Sequence, residues 1–130
     1  MTIEGYLSNL KEQTFYQNQI VFQSKIPAKK PKFQDLKFDL QEELLNWLSS
    51  KKLRLYSHQS KALNLISAGK NVVITTPTAS GKTLIFSLAV ANAIAKRRST
   101  TALFLYPTKA LANDQLKKLE ELNEVLNGKI

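Results

Sequence analysis

Residues 76–83 read Thr76-Pro77-Thr78-Ala79-Ser80-Gly81-Lys82-Thr83. They stand between a run rich in β-branched residues (71–76) and an apolar run that begins at Lys82. A buried strand that turns sharply into a buried helix has few homes other than a layered α/β domain. The turn also has a chemistry. Successive backbone N–H groups at a helix start converge on a concavity that holds phosphate oxygens. The phosphate-loop pattern is Gly, four residues, then Gly-Lys-Ser/Thr. Here Thr76 replaces the first glycine, and the second half is intact. Gly81 lets the backbone approach closely, Lys82 supplies a point charge for the β/γ-phosphates, and the Thr83 hydroxyl suits Mg²⁺. The plainer alternative is a strand-to-helix turn with a solvated lysine.

The rest of the chain fits that layout. Residues 101–106, Thr-Ala-Leu-Phe-Leu-Tyr, predict a second strand, and residues 82–98 an almost wholly apolar helix between the two. Pro107 and Thr108 open a last helix with an apolar stripe of Leu111, Ala112, Leu116, Leu119, Leu122 and Leu126. Strand, helix, strand, helix is the grammar of a parallel β-α-β-α sheet. Upstream, Asp39 with Glu42 suggests a capped helix start before Leu40, Leu44, Trp47 and Leu48. Ser57 is a candidate cap for a helix that ends at Gly69. Residues 1–38 differ: five glutamines and the run Pro27-Ala28-Lys29-Lys30-Pro31-Lys32 predict an extended arm with a short helix near Tyr6 to Tyr16. The expected division is thus an arm (1–38) and an α/β part (39–130).

Composition narrows the partners. Nineteen Lys+Arg against ten Asp+Glu give a net charge of +9, which favours a polyanion. There is no cysteine and one histidine, His58, so thiolate zinc sites, disulfides and cysteine nucleophiles are excluded within this chain. Residues 84–95 are too short and too interrupted to span a bilayer, and Met1 to Leu10 lack a secretory pattern. A cytoplasmic location without a membrane partner is expected.

Two segments flank the loop. Arg54-Leu55-Tyr56-Ser57-His58-Gln59 precedes it. The Gln59 amide offers a donor and an acceptor together, which suits the adenine edge, and Tyr56 or Arg54 could stack on the base. Tyr106-Pro107-Thr108-Lys109-Ala110 follows the second strand and runs on to Gln115. A capped helix start with a lysine suits a phosphodiester backbone.

Together the three segments resemble the amino-terminal motifs of superfamily 2 helicases of the DEAD/DEAH-box type. The Gln59 segment is similar to the adenine-reading Q motif, residues 76–83 to motif I, and residues 107–111 to motif Ia. The lead-in, Ile20 to Pro31 and Leu53 to Gln59, resembles DNA-repair helicases with a carboxy-terminal zinc-binding region. The resemblance implies a partial RecA-like fold. It implies ATP and Mg²⁺ on Thr78, Ala79, Ser80, Gly81, Lys82 and Thr83, with Lys82 stabilising phosphate charge and Gln59, Tyr56 and Arg54 at the base. It implies nucleic acid, DNA ahead of RNA, on Pro107, Thr108, Lys109, Ala110 and Gln115. The family's acidic Asp-Glu motif and its second lobe have no counterpart here; Asp114, Glu120, Glu121 and Glu124 fall on one amphipathic pattern. The chain is therefore expected to be an amino-terminal piece of a helicase, to be completed by the remainder, with weak or absent ATP hydrolysis by itself. The rival reading is a non-catalytic basic nucleic-acid-binding module with a vestigial phosphate loop. A small phosphotransferase lacks acceptor and lid elements.

Overall fold

The structure, a computed structural model, describes residues 2–28 and 30–128, so Lys29 of the basic run lies outside the described residues. The chain divides into two units at Lys30/Pro31, ahead of the compositional boundary at Asp39. The smaller unit contains helix α1 (Ile3–Lys11), which starts earlier and ends earlier than the expected helix. Thr2 sets its start, since its hydroxyl accepts from the Gly5 N–H at 3.1 Å. No residue of α1 is buried. The Lys25 ammonium lies 2.8 Å from Glu4 and holds that carboxyl below the usual range.

The larger unit holds α2 (Glu42–Ser50), α3 (Ser57–Ser67), α4 (Lys82–Lys96) and α5 (Lys109–Val125). Helix α4 is the hub and touches α2, α3 and α5. Its Ile85, Leu88 and Ala91 are fully enclosed, packed with Leu44 and Leu48 of α2, Leu63 of α3, and Leu122 of α5. Burying each such Leu or Ile contributes about 1.5–3 kcal/mol. No helix among the described residues is long and apolar enough to cross a membrane.

Local signals misplace several boundaries where long-range bonds decide. Asp39 does not cap α2. Gln41 is the N-cap residue, with no capping bond from its side chain, and its N–H donates to Asn92 Oδ1 of α4 at 3.0 Å. Ser57 lies inside α3, and Tyr56 is the N-cap residue, because the Ser57 N–H is taken by the Lys32 carbonyl at 2.8 Å. Gly69 follows α3 with φ 71°, as a C′ glycine should. On α5 the buried stripe is Gln115, Leu119 and Leu122, continued by Leu126 beyond the helix end; Leu116 is exposed. The spacing of four, three and four residues leaves Leu116 off that face, while Leu111, in register with Gln115, lies in the first turn and is exposed.

The predicted strands are the main difference. Among the described residues no β-strand forms, and one isolated antiparallel bridge joins Phe33 to Tyr56. Residues 71–76 and 101–106 nevertheless keep the alternation of a strand. Val72, Ile74, Phe104 and Tyr106 are partly buried, while Val73, Leu103 and Leu105 are each more than 80% exposed. Side-chain period is set within a segment, whereas a ladder needs a neighbouring backbone. The backbones of these two segments bond neither to each other nor to the backbone of another described segment. The parallel β-α-β-α arrangement is therefore reduced to two one-sided extended segments against a helical layer.

Leu88→Ala should cost about 2–5 kcal/mol in urea unfolding, by cavity formation. Leu103→Ala should stay within about 0.5 kcal/mol, since it removes few contacts.

Candidate nucleotide and nucleic-acid site

The loop before α4 is bent by two residues in the left-handed region, Ala79 (φ 58°) and Gly81 (φ 76°). Gly81 is the N-cap residue of α4, and no side chain caps that helix. Its first N–H groups therefore have no side-chain acceptor, which is the arrangement that receives an anion. Lys82 folds back over the bend. Its ammonium donates to the carbonyls of Thr76 and Pro77, both at 2.7 Å, and lies 3.5 Å from the Ser80 hydroxyl. The Thr76 and Ser80 hydroxyls are 2.6 Å apart and close the ring. Thr78 and Ala79 are exposed; Lys82 and Thr83 are half-buried at the mouth. A cavity of about 560 Å³ borders the loop, with Trp47, Ser87 and Leu122 in its wall.

The start of α3 supports this loop from one side. Gln59 is 2% exposed. Its Oε1 accepts from the Tyr56 N–H at 2.8 Å, and its Nε2 donates to the Gly81 carbonyl at 3.0 Å. Two of the amide's four hydrogen-bonding positions are thus used inside the protein, and a base could be read only by an amide that turned outward. A Cβ on Gly81 would sit 2.5 Å from that same Nε2. Arg54 and Tyr56 are exposed, but neither stands alone. The Arg54 guanidinium lies 4.4 Å over the Phe33 ring. Phe33 stacks on Tyr56 at 5.3 Å, and Tyr56 lies parallel to His58 at 5.9 Å. Sequence reasoning missed Phe33 and His58. Phe33 carries no periodic signal within its basic run; His58 adjoins Gln59, and that adjacency was the available clue.

The second candidate segment sits at the start of α5. Pro107, Thr108, Lys109 and Ala110 are exposed, and the Thr108 hydroxyl accepts from the Leu111 N–H at 3.2 Å. Gln115 is not beside them on the surface. It is 6% exposed on the buried stripe and donates to Asp114 Oδ2 at 3.0 Å. The Lys118 ammonium, 2.8 Å from Asp114, holds that carboxyl below the usual carboxylate range. Whatever this exposed pair adds is present above the ordinary Asp range and fades as pH falls through the lowered value. Glu121 pairs with Lys51. No group of three or more His, Cys, Asp or Glu among the described residues could hold a metal. The donors present do suit one phosphate-bound magnesium ligand, the Thr83 hydroxyl.

Gly81→Ala should destabilise the chain by about 1–3 kcal/mol in urea unfolding, from left-handed strain and the Gln59 clash together. Gln59→Ala combined with Gly81→Ala should recover the clash part and leave the backbone part.

Comparison with known proteins places this geometry. The DEAD/DEAH box helicase pattern matches residues 56–130. The ATP-dependent helicase HRQ1 of Saccharomyces cerevisiae is 37% identical over 96% of this chain and 12% of its own length. An uncharacterised ATP-dependent helicase of Methanocaldococcus jannaschii, MJ1574, is 43% identical over 78% of this chain and 15% of its own. The crystal structure of the DUF1998 helicase MrfA bound to DNA and AMPPNP superposes with a TM-score of 0.81 and 33% identity, over 98% of this chain and 17% of that one. The chain thus spans about an eighth of the length of the first of these relatives. With its loop, Tyr56 to Gln59 and the start of α5 all inside the matched span, the chain belongs to the DEAD/DEAH box helicase family.

Proposed function

We propose that this chain is the ATP- and nucleic-acid-binding amino-terminal segment of an ATP-dependent DNA helicase. The observation that carries the reading is the uncapped start of α4 at left-handed Gly81, with the Lys82 ammonium folded onto loop carbonyls. Those carbonyls are replaceable partners. Phosphate oxygens carry more charge, so Lys82 would exchange Thr76 and Pro77 for them at a favourable balance. The backbone N–H groups at the start of α4 would hold the phosphates, and the Thr83 hydroxyl would face Mg²⁺. Magnesium ATP supplies the phosphoryl group whose hydrolysis powers movement along a strand. Pro107 to Ala110 would grip one strand's backbone through exposed N–H groups and Lys109. The likeness to MrfA, whose crystal structure is bound to DNA, supports DNA over RNA. The net charge of +9 also suits the rival reading, a basic module with a vestigial loop.

Equilibrium binding of a fluorescent ATP analogue with Mg²⁺ separates the two. Saturable binding should fall at least tenfold in Lys82→Ala, with circular dichroism unchanged. Salt-dependent DNA binding that neither nucleotide nor Lys82→Ala alters would establish the rival. Turnover of Mg-ATP by the 130-residue chain should be at or near background, since the sequence has no adjacent Asp-Glu pair to hold Mg²⁺ and position the attacking water.

A further inference from the structure

We propose that His58 is a positioning residue for the phosphate-binding backbone: it holds the Ser80–Gly81 peptide plane so that the Gly81 N–H faces the phosphate concavity. The inference rests on the nucleotide-binding reading above and assigns a role to a residue that reading does not use.

The argument starts from one distance. His58 Nε2 lies 3.0 Å from the Ser80 carbonyl oxygen. A carbonyl oxygen can only accept, so Nε2 must carry the proton. The neighbouring side chain does the same one residue on, since Gln59 Nε2 donates to the Gly81 carbonyl. Two adjacent residues of α3 therefore hold two adjacent carbonyls of the loop. All peptide bonds of the described chain are trans. In a trans peptide the C=O and the following N–H point in opposite directions. Turning the carbonyls of Ser80 and Gly81 toward α3 turns the N–H groups of Gly81 and Lys82 away from it, into the uncapped start of α4.

This plane needs an external anchor. Gly81 has no Cβ and tolerates either orientation of the peptide that precedes it. A reversed Ser80–Gly81 plane would put a carbonyl oxygen where the phosphate must sit and repel it. The backbone alone does not decide between the two. His58 can decide because its own orientation is set. It lies in the first turn of α3, and its ring is parallel to Tyr56, which stacks on Phe33. Neutral imidazole with Nε2–H and imidazolium both donate to Ser80, so the role requires the donor and not a charge.

The test uses the whole 130-residue chain and two variants. His58→Phe keeps a ring for the stack and removes the donor; His58→Gln restores an amide donor. Mg-AMPPNP affinity should fall about tenfold in His58→Phe and recover at least in part in His58→Gln. Without nucleotide the thermal midpoint of His58→Phe should fall by no more than the few degrees that one ordinary hydrogen bond contributes, so that the tenfold affinity loss and its rescue in His58→Gln report the position of the loop and not unfolding. Imidazole ¹⁵N shifts of the free wild-type chain should show a proton on Nε2. Wild-type affinity in His58→Phe, or a proton on Nδ1 alone, would overturn the inference while leaving the nucleotide reading intact. A folded wild-type chain that binds no nucleotide would overturn both.

Discussion

Everything at the site depends on how the first turn of α3 grips the loop before α4. The grip is a set of ordinary hydrogen bonds, each worth about 0.5–1.5 kcal/mol net. Its effect is geometric. Gln59 is 2% exposed and lies so close to Gly81 that no Cβ fits between them. The loop cannot move away from α3 without stranding a buried amide, and it cannot move closer. Helix α4 fixes the other boundary. It is enclosed by α2, α3 and α5, so the position of its first turn is set by the core and not by the loop. Between these two constraints the short bend has one path, and Ala79 is driven into the left-handed region to follow it.

The same layout explains the division of charge. Lys82 is turned inward onto carbonyls. Asp114 and Glu121 are neutralised by Lys118 and Lys51 at the surface. Such exposed pairs contribute little to stability. Glu121 lines the same cavity as the loop, but it pairs there with Lys51 and not with Lys82. An anionic ligand therefore meets a cation and a helix start, both of which favour it.

Much of this was legible in the residues. The pattern from Thr76 to Thr83 located the bend, and the apolar run after it located α4. Gly69 marked the end of α3. What local pattern could not supply was any bond between distant segments. Asp39 looked like a cap because Glu42 stands three residues on, yet Asn92 from α4 holds the entry to α2 instead. Gln115 looked like a contact for nucleic acid because it is polar, yet the rotation of α5 buries it on one stripe with Leu119 and Leu122. The strands were legible as alternation and not as a sheet, because pairing depends on a neighbour that the period does not specify. Phe33 joins the site through its backbone bridge to Tyr56, its stack on that ring and the Arg54 guanidinium over its own, which no spacing rule foretells.

The central claim is that the backbone N–H groups of Gly81 and Lys82 are held ready for phosphate. Site-resolved amide hydrogen exchange of the 130-residue chain, with and without Mg-AMPPNP, measures it directly. The account predicts fast exchange at Gly81 and Lys82 in the free chain, and strong slowing at those two amides and Thr83 on binding. Unchanged exchange at all three amides under saturating nucleotide would contradict it.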